Sequence, residues 1–292
     1  MVKIENNNFQ AVIDLRGAQL THLYNKKFNF DYLWNNPAWN KHAPILFPAI
    51  GRSNHDEYLL NGEKYSMPQH GFIAAQEFEV SDLKPNLVIL KAKANDETRK
   101  MYPFEFELEV TFALLANGIA LTFAVKNNSA ETMPFSLGSH PAFNVPLNNE
   151  GAFADYQLSF TGDFQLPLTN YEIIKTPAPY RTGKVEKFSD TKRMALNHEL
   201  FAQGLRIIVN QQVKQVELAS TRSSHSVLIN LGDFKNVCLW TKETKNLPFL
   251  CIEPFSGLPD VLGEPVDWHH KEASQQLGSK QEQLLQYEIL LK

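Results

Sequence analysis

The stretch "FEFELEVTF" alternates without a break: Phe104, Phe106, Leu108, Val110 and Phe112 share one parity, and Glu105, Glu107, Glu109 and Thr111 the other. A period of two sends the two sets to opposite faces of an extended chain, which predicts a half-buried antiparallel strand. "GIALTFAVKN" repeats the pattern with Ile119, Leu121, Phe123 and Val125, and the intervening "LANG" ends in a glycine suited to a tight turn. The two segments therefore predict a hairpin. "LRIIVN", "HSVLINL", "VCLWTK", "LPFLCIE" and the closing "LLQYEILL" read as further strands. Helical periodicity is scarce. The best helix candidate is the short Asp190–Phe201 segment, "DTKRMALNHELF", with Asp190 as its cap. Many closely spaced strands, few helices and 16 prolines predict an all-β fold, a large sandwich of antiparallel strands. No internal repeat, low-complexity tract or linker breaks the pattern, so residues 1–292 are expected to form one domain, with Asn148 to Lys187 as its most loop-rich stretch.

Composition adds limits rather than a function. At 292 residues and 43% hydrophobic content, the chain is long enough to bury roughly 75% of its unfolded surface. A net charge of -4 supplies no positive field for phosphate backbones or anionic lipid, so neither nucleic acid nor membrane is an expected partner. "MVKIENNNFQ" has no apolar signal core, and no run approaches the ~20 apolar residues of a membrane span. A cytoplasmic protein is expected. Cys238 and Cys251 lie in apolar strand segments without metal or redox spacing, and are expected to be buried, reduced thiols.

The common catalytic signatures are missing: no Walker loop, no dinucleotide glycine fingerprint, no G-x-S-x-G and no H-E-x-x-H. Three polar residues in turn-rich, aromatic surroundings remain. His140 in "GSHPAFN" precedes Pro141, which favours an extended backbone at the histidine. His70 in "MPQHGF" precedes a glycine that permits close backbone approach. Glu253 in "LCIEPFSGLPD" ends an apolar strand, where burying a carboxylate is costly without a partner. Taken singly, each has an ordinary structural reading, as a packed histidine or a strand end. Together, two imidazoles and a carboxylate suit proton transfer, with Phe72, Phe143, Trp240 and Phe255 as candidate flat walls for a sugar ring. His22, His42, His55, His198, His225, His269 and His270 have no comparable context. "HHKE" at 269–272 is not expected to hold a metal, because adjacent histidines on a strand face opposite ways.

In order, "HAPILFPAIGR", "GEKYSMPQHGF", "YPFEFELEVTFAL", "FSLGSHPAFNVPL", "VCLWTK" and "CIEPFSGLPD" resemble the aldose 1-epimerase (galactose mutarotase) family over nearly the whole chain. The resemblance implies a β-supersandwich with a cleft on one sheet. It also implies interconversion of the α and β anomers of an aldose, the small-molecule partner, with no metal or organic cofactor, by a monomer or homodimer. The family's H-P-x-F histidine matches His140, its H-G histidine matches His70, and its catalytic glutamate matches Glu253, with Asp260 closing that motif. By that match, Glu253 takes the proton from the C1 hydroxyl, His140 protonates the ring oxygen, and His70 binds near it. Three departures follow. The family's A-N-R arginine is missing, which leaves Arg52 of Gly51-Arg52 as the nearest substitute. Its later sugar-binding aspartate is replaced by the region of Gln203. Ala74 and Ala75 stand where related branches carry an H-G-F-A-R arginine. A phosphosugar would need a fixed guanidinium there, so a free aldose such as galactose or glucose is expected. The alternatives are a hexose-6-phosphate mutarotase or a non-catalytic sugar-binding protein of the same fold.

Overall fold

In the computed structural model, which describes residues 1–242 and 246–292, two large antiparallel sheets dominate. The first has nine strands, in the order Arg193–Ala195, Tyr156–Gly162, Val213–Ser220, Ser226–Asn230, Glu282–Leu291, Gly118–Asn127, Phe106–Leu115, Leu87–Lys93 and Glu79–Lys84. The expected hairpin lies near its middle, with Leu115 opposite Gly118 and Phe112 opposite Leu121. Its apolar parity is buried, while Glu107 on the other face is bridged by Lys91 and Lys126 from the flanking strands.

The second sheet has eight strands. Seven run in the order Tyr180–Ser189, Leu168–Ile174, Arg206–Ile208, Asn236–Trp240, Phe249–Ser256, Leu137–Ser139 and Ile45–Leu46, and Ala142–Asn144 pairs off this path with Phe249–Ser256. A four-stranded sheet of the first 31 residues and two two-stranded ribbons complete the described strands. The largest core cluster takes apolar residues from both large sheets, among them Leu108, Val110 and Ile119 from one and Val237, Leu239, Leu250 and Ile252 from the other.

That cluster uses only one parity of the second sheet. Cys238 alternates with Val237 and Leu239, and Cys251, Glu253 and Phe255 alternate with Leu250 and Ile252, so this second set faces away from the core. Loops cover that outer face, which is why all eight residues of Phe249–Ser256 are buried and the strand reads as a continuous apolar run.

The helix expected over Asp190–Phe201 does not form. Arg193–Ala195 instead adds an edge strand to Tyr156–Gly162, and His198–Phe201 makes one 3-10 turn capped by Asn197, whose side chain accepts from the Leu200 amide. A helix of that length is marginal alone, whereas the open edge of the large sheet satisfies the same backbone groups. The α-helix of the described chain is Asp96–Met101, started by a capping box between Asn95 and Thr98. No described helix is long and apolar enough to cross a membrane.

Candidate active site

Cross-strand register assembles the site. On the outer face of the second sheet Cys238 lies opposite Glu253, and Trp240 lies opposite Cys251. Phe249–Ser256 also pairs with Ala142–Asn144, with Ala142 opposite Cys251. His140, two residues before Ala142, is thereby brought to the same face as Cys251 and Glu253. Its backbone is held on both sides, since the His140 amide donates to the Pro44 carbonyl at 3.0 Å and Pro141 accepts from the Ile252 amide at 3.2 Å. His140 Nε2 stands 3.4 Å from Glu253 Oε2.

The third residue arrives on a turn. His70 has φ 65° and Gly71 φ 75°, and a Cβ on Gly71 would lie 2.2 Å from the Phe47 carbonyl oxygen. Only glycine fits there. The His70 amide donates to the Gly51 carbonyl at 2.7 Å, and the Gly51 amide donates to His70 Nδ1 at 3.1 Å. A backbone N–H aimed at Nδ1 makes that nitrogen the acceptor, so the neutral ring carries its proton on Nε2. The His70 and His140 ring centroids are 5.9 Å apart.

The three side chains line one cavity of about 560 Å³, walled by Trp39, Trp240, Leu205, Phe255 and Pro259 and bordered by Lys41 and Gln69. Trp39 and Trp240 approach the His140 ring to 5.5 and 5.8 Å. The walls are flat and apolar, and the polar atoms converge at one end, as small-molecule sites commonly do.

Burial governs the charges. It pushes the Glu253 carboxyl well above the ordinary carboxylate range, with the neighbouring Cys238 thiol opposing that shift. It holds His140 well below the ordinary imidazole range, assisted by nearby His70 and Lys41. His70 is lowered to about 4, first by burial and then by the Lys41 and Arg52 cations. Burial thus favours the uncharged form of the His140–Glu253 pair, with the shared proton on the carboxyl, over the ion pair. Transfer of that proton from the carboxyl to the imidazole gives the ion pair without changing the proton count. His140 Nδ1 and Glu253 Oε1 are buried without hydrogen-bond partners, a costly arrangement that a polar ligand would relieve.

Of the residues singled out in the sequence, His70, His140, Glu253, Trp240 and Phe255 reach the cavity. Phe143 does not: it lies opposite Leu250, on the parity facing the core, and is fully buried there. Phe72 is likewise a core residue, against Tyr102 and Phe106. Gln203 is exposed in the turn after His198–Phe201 and is not on the cavity wall, whereas Leu205 is. Arg52 is engaged outside the wall, with its Nη1 2.7 Å from Asp56 Oδ1 and its Nε buried without a partner.

Asp260 is a strut rather than a wall. Its carboxylate accepts from Lys271 Nζ at 2.9 Å and from the Asn54 amide at 3.1 Å, and its own amide donates to the Arg52 carbonyl at 3.0 Å. This ties the 51–54 turn, and through Gly51 the ring of His70, to the loop after Glu253. In "HHKE", His269 and His270 sit in a 3-10 turn and not on a strand, Lys271 pairs with Asp260, and Glu272 pairs with Arg181. Sequence reasoning missed Trp39, Lys41 and Gln69. The tryptophan and lysine of "PAWNKHAP" lie in a loop with no strand periodicity, and only the folded chain brings that loop over His140.

A family profile described as Aldose 1-epimerase matches residues 1–285. The plasmid-borne Protein LacX of Lactococcus lactis subsp. lactis is 31% identical over 273 residues, 90% of each chain. A galactose mutarotase-like protein from Lactobacillus casei superposes with a TM-score of 0.95 at 40% identity, covering 100% of both chains. A galactose mutarotase related enzyme from Lactobacillus acidophilus gives 0.92 at 29%, over 100% of this chain and 97% of that one. With its fold, the His140–Glu253 pair and a match that runs from the first residue to residue 285, the chain belongs to the aldose 1-epimerase family.

Proposed function

We propose that the protein is a mutarotase that interconverts the anomers of an unphosphorylated aldose such as galactose or glucose. The observation carrying this reading is the 3.4 Å approach of His140 Nε2 to Glu253 Oε2 at the polar end of an aromatic-walled cavity. The two oxygens that exchange protons in mutarotation are bonded to the same carbon, so an acid and a base a few ångströms apart reach both. With the pair in its ion-pair form, Glu253 takes the proton of the C1 hydroxyl while His140 gives one to the ring oxygen. The C1–O5 bond breaks, C1 becomes an aldehyde carbon, and the proton count of sugar plus pair is unchanged. Rotation about C1–C2 presents the other face of the carbonyl. O5 then re-adds, returning its proton to His140 as the carbonyl oxygen recovers one from Glu253. His70, whose Nε2–H is fixed by the Gly51 amide on Nδ1, donates a hydrogen bond toward the ring oxygen. We place this activity in the cytoplasm, in a monomer or homodimer, with both cysteines as buried free thiols.

Polarimetry on freshly dissolved α-glucose and α-galactose tests the reading. Faster decay of optical rotation than in buffer is expected, and no acceleration for any common aldose would overturn it. One observation favours a second reading. Lys41 borders the cavity with no carboxylate paired to it among the described residues, and its charge acts on both histidines. An aldose carrying a phosphate would place an anion on that ammonium. If glucose 6-phosphate epimerises faster than glucose, and Lys41→Met abolishes only that advantage, the phosphosugar reading replaces the first.

A further inference from the structure

Neither the family assignment nor proton transfer at a sugar gives a role to the thiol beside the His140–Glu253 pair. Cys251 is two residues before Glu253 on the same strand and opposite Ala142, so register directs its side chain to the face that carries both partners. One ligand atom from each of His140, Cys251 and Glu253 lies within 4.8 Å of the others. Thiolate, imidazole and carboxylate form a donor set suited to zinc.

Two ligands bound to zinc at about 2.0–2.2 Å with tetrahedral angles sit about 3.3–3.5 Å apart. The His140–Glu253 separation of 3.4 Å already meets that value. A thiolate on the longer zinc–sulfur bond would sit about 3.6 Å from its neighbours, so from a separation of at most 4.8 Å Cys251 needs to approach by about 1.2 Å at most.

We propose that His140, Cys251 and Glu253 form a site for a soft divalent cation, zinc first, that takes one ion per chain and holds the pair in an unproductive state. His140 binds as the neutral imidazole, Glu253 as carboxylate and Cys251 as thiolate, with the fourth position open to a cavity water or a sugar hydroxyl. The balance is Zn²⁺ with Cys251–SH and the singly protonated His140–Glu253 pair going to the bound ion and two released protons. Two negative ligands cancel the charge of the ion, so the buried cluster stays neutral. Buried alone, the thiolate or the carboxylate would be an uncompensated charge. Among the described residues the site is reached from the cavity, through the 13% of the His140 side chain left exposed.

The inference rests on the side-chain cluster and does not require that the chain turn over a sugar, so binding is measured directly. Zn²⁺ is titrated against a chromophoric chelator with the full chain, and Co²⁺ is added separately to record a thiolate-to-cobalt charge-transfer band in the near ultraviolet. One equivalent of Zn²⁺, tighter as pH rises because protons are released, and a cobalt–thiolate band displaced by Zn²⁺ but not by Mg²⁺ are expected. Cys251→Ser should remove the band and weaken Zn²⁺ binding at least about 100-fold, beyond the effect of losing an outer-shell partner. Absence of stoichiometric binding, absence of the band in the unaltered chain, or undiminished Zn²⁺ affinity in folded Cys251→Ser overturns the proposal. If Cys251→Ser does not fold, the cobalt band in Cys238→Ser, whose one remaining thiol is Cys251, decides: its presence supports the proposal and its absence overturns it. An active chain is further expected to lose turnover on adding one equivalent of Zn²⁺ and regain it with a chelator. Full activity of the zinc-loaded chain would overturn the unproductive-state part of the proposal.

Discussion

Glu253 lies among apolar side chains with one carboxyl oxygen 3.4 Å from His140 and the other without a partner. Its Gln variant keeps the shape and removes the base. Glu253→Gln is therefore expected to lower kcat for mutarotation by about 10²–10⁴-fold while leaving the sugar Kd within a few-fold. Polarimetry and calorimetric titration measure the two, and a wild-type kcat would remove Glu253 from the mechanism. His70 makes a prediction in pH. It stays neutral in the fold down to about 4, while an unfolded imidazole takes its proton near about 6.5. Between those values the unfolded state binds more protons. The contribution of His70 to stability is therefore complete above about 6.5 and is lost as pH falls toward 4. Urea midpoints between pH 7 and 4 should fall less steeply for His70→Gln than for the unaltered chain, and equal slopes would rule out His70 as a source of acid sensitivity. His70, His140 and Glu253 are legible in the sequence only as a set within the ordered family-like motifs, since the proline or glycine beside each one also has an ordinary structural reading. The inward turn of Phe143 is not legible, because "HPAFN" fixes neither the register of its short strand nor which face meets the core.

At the scale of elements, turns position the chemistry more than strands do. Gly71 lets the chain reverse against the Phe47 carbonyl and leaves His70 in a left-handed conformation with its ring on the Gly51 amide. Gly71→Ala adds a Cβ where a backbone oxygen already stands, at positive φ, so a loss of about 2 kcal/mol or more is expected. Because the turn carries His70, kcat/KM should fall as well, and a variant with unchanged urea midpoint and activity would contradict this account. Strand periodicity is the most legible element signal here, since "FEFELEVTF" and "GIALTFAVKN" carry their burial pattern in their own alternation. The Asp190–Phe201 segment has no such internal evidence. Its 3.6-residue spacing competes with an unpaired edge of the nine-stranded sheet, and that edge lies far away in the sequence.

For the molecule as a whole, the buried Lys271–Asp260 pair fastens the loop after Glu253 to the 51–54 turn. Asp260→Ala leaves a buried ammonium unpaired and is expected to cost about 3–5 kcal/mol. Adding Lys271→Met should restore most of that loss, because removing both partners leaves no orphaned charge. Urea unfolding of the two variants checks this, and equal stability of single and double variants would show that the pair is not coupled. The sequence by itself determined the all-β class and the main hairpin, because alternation and local turn chemistry are encoded between near neighbours, and it singled out His70, His140 and Glu253 only as a set, through the ordered motifs that resemble the family. Tertiary structure alone decided that Glu253 meets His140 at 3.4 Å, that Cys251 joins them, that Trp39 and Lys41 close over them, and that Asp260 braces the site instead of lining it. Most of those relations depend on cross-strand register and loop packing between segments about 100 residues apart or more, which no local pattern specifies.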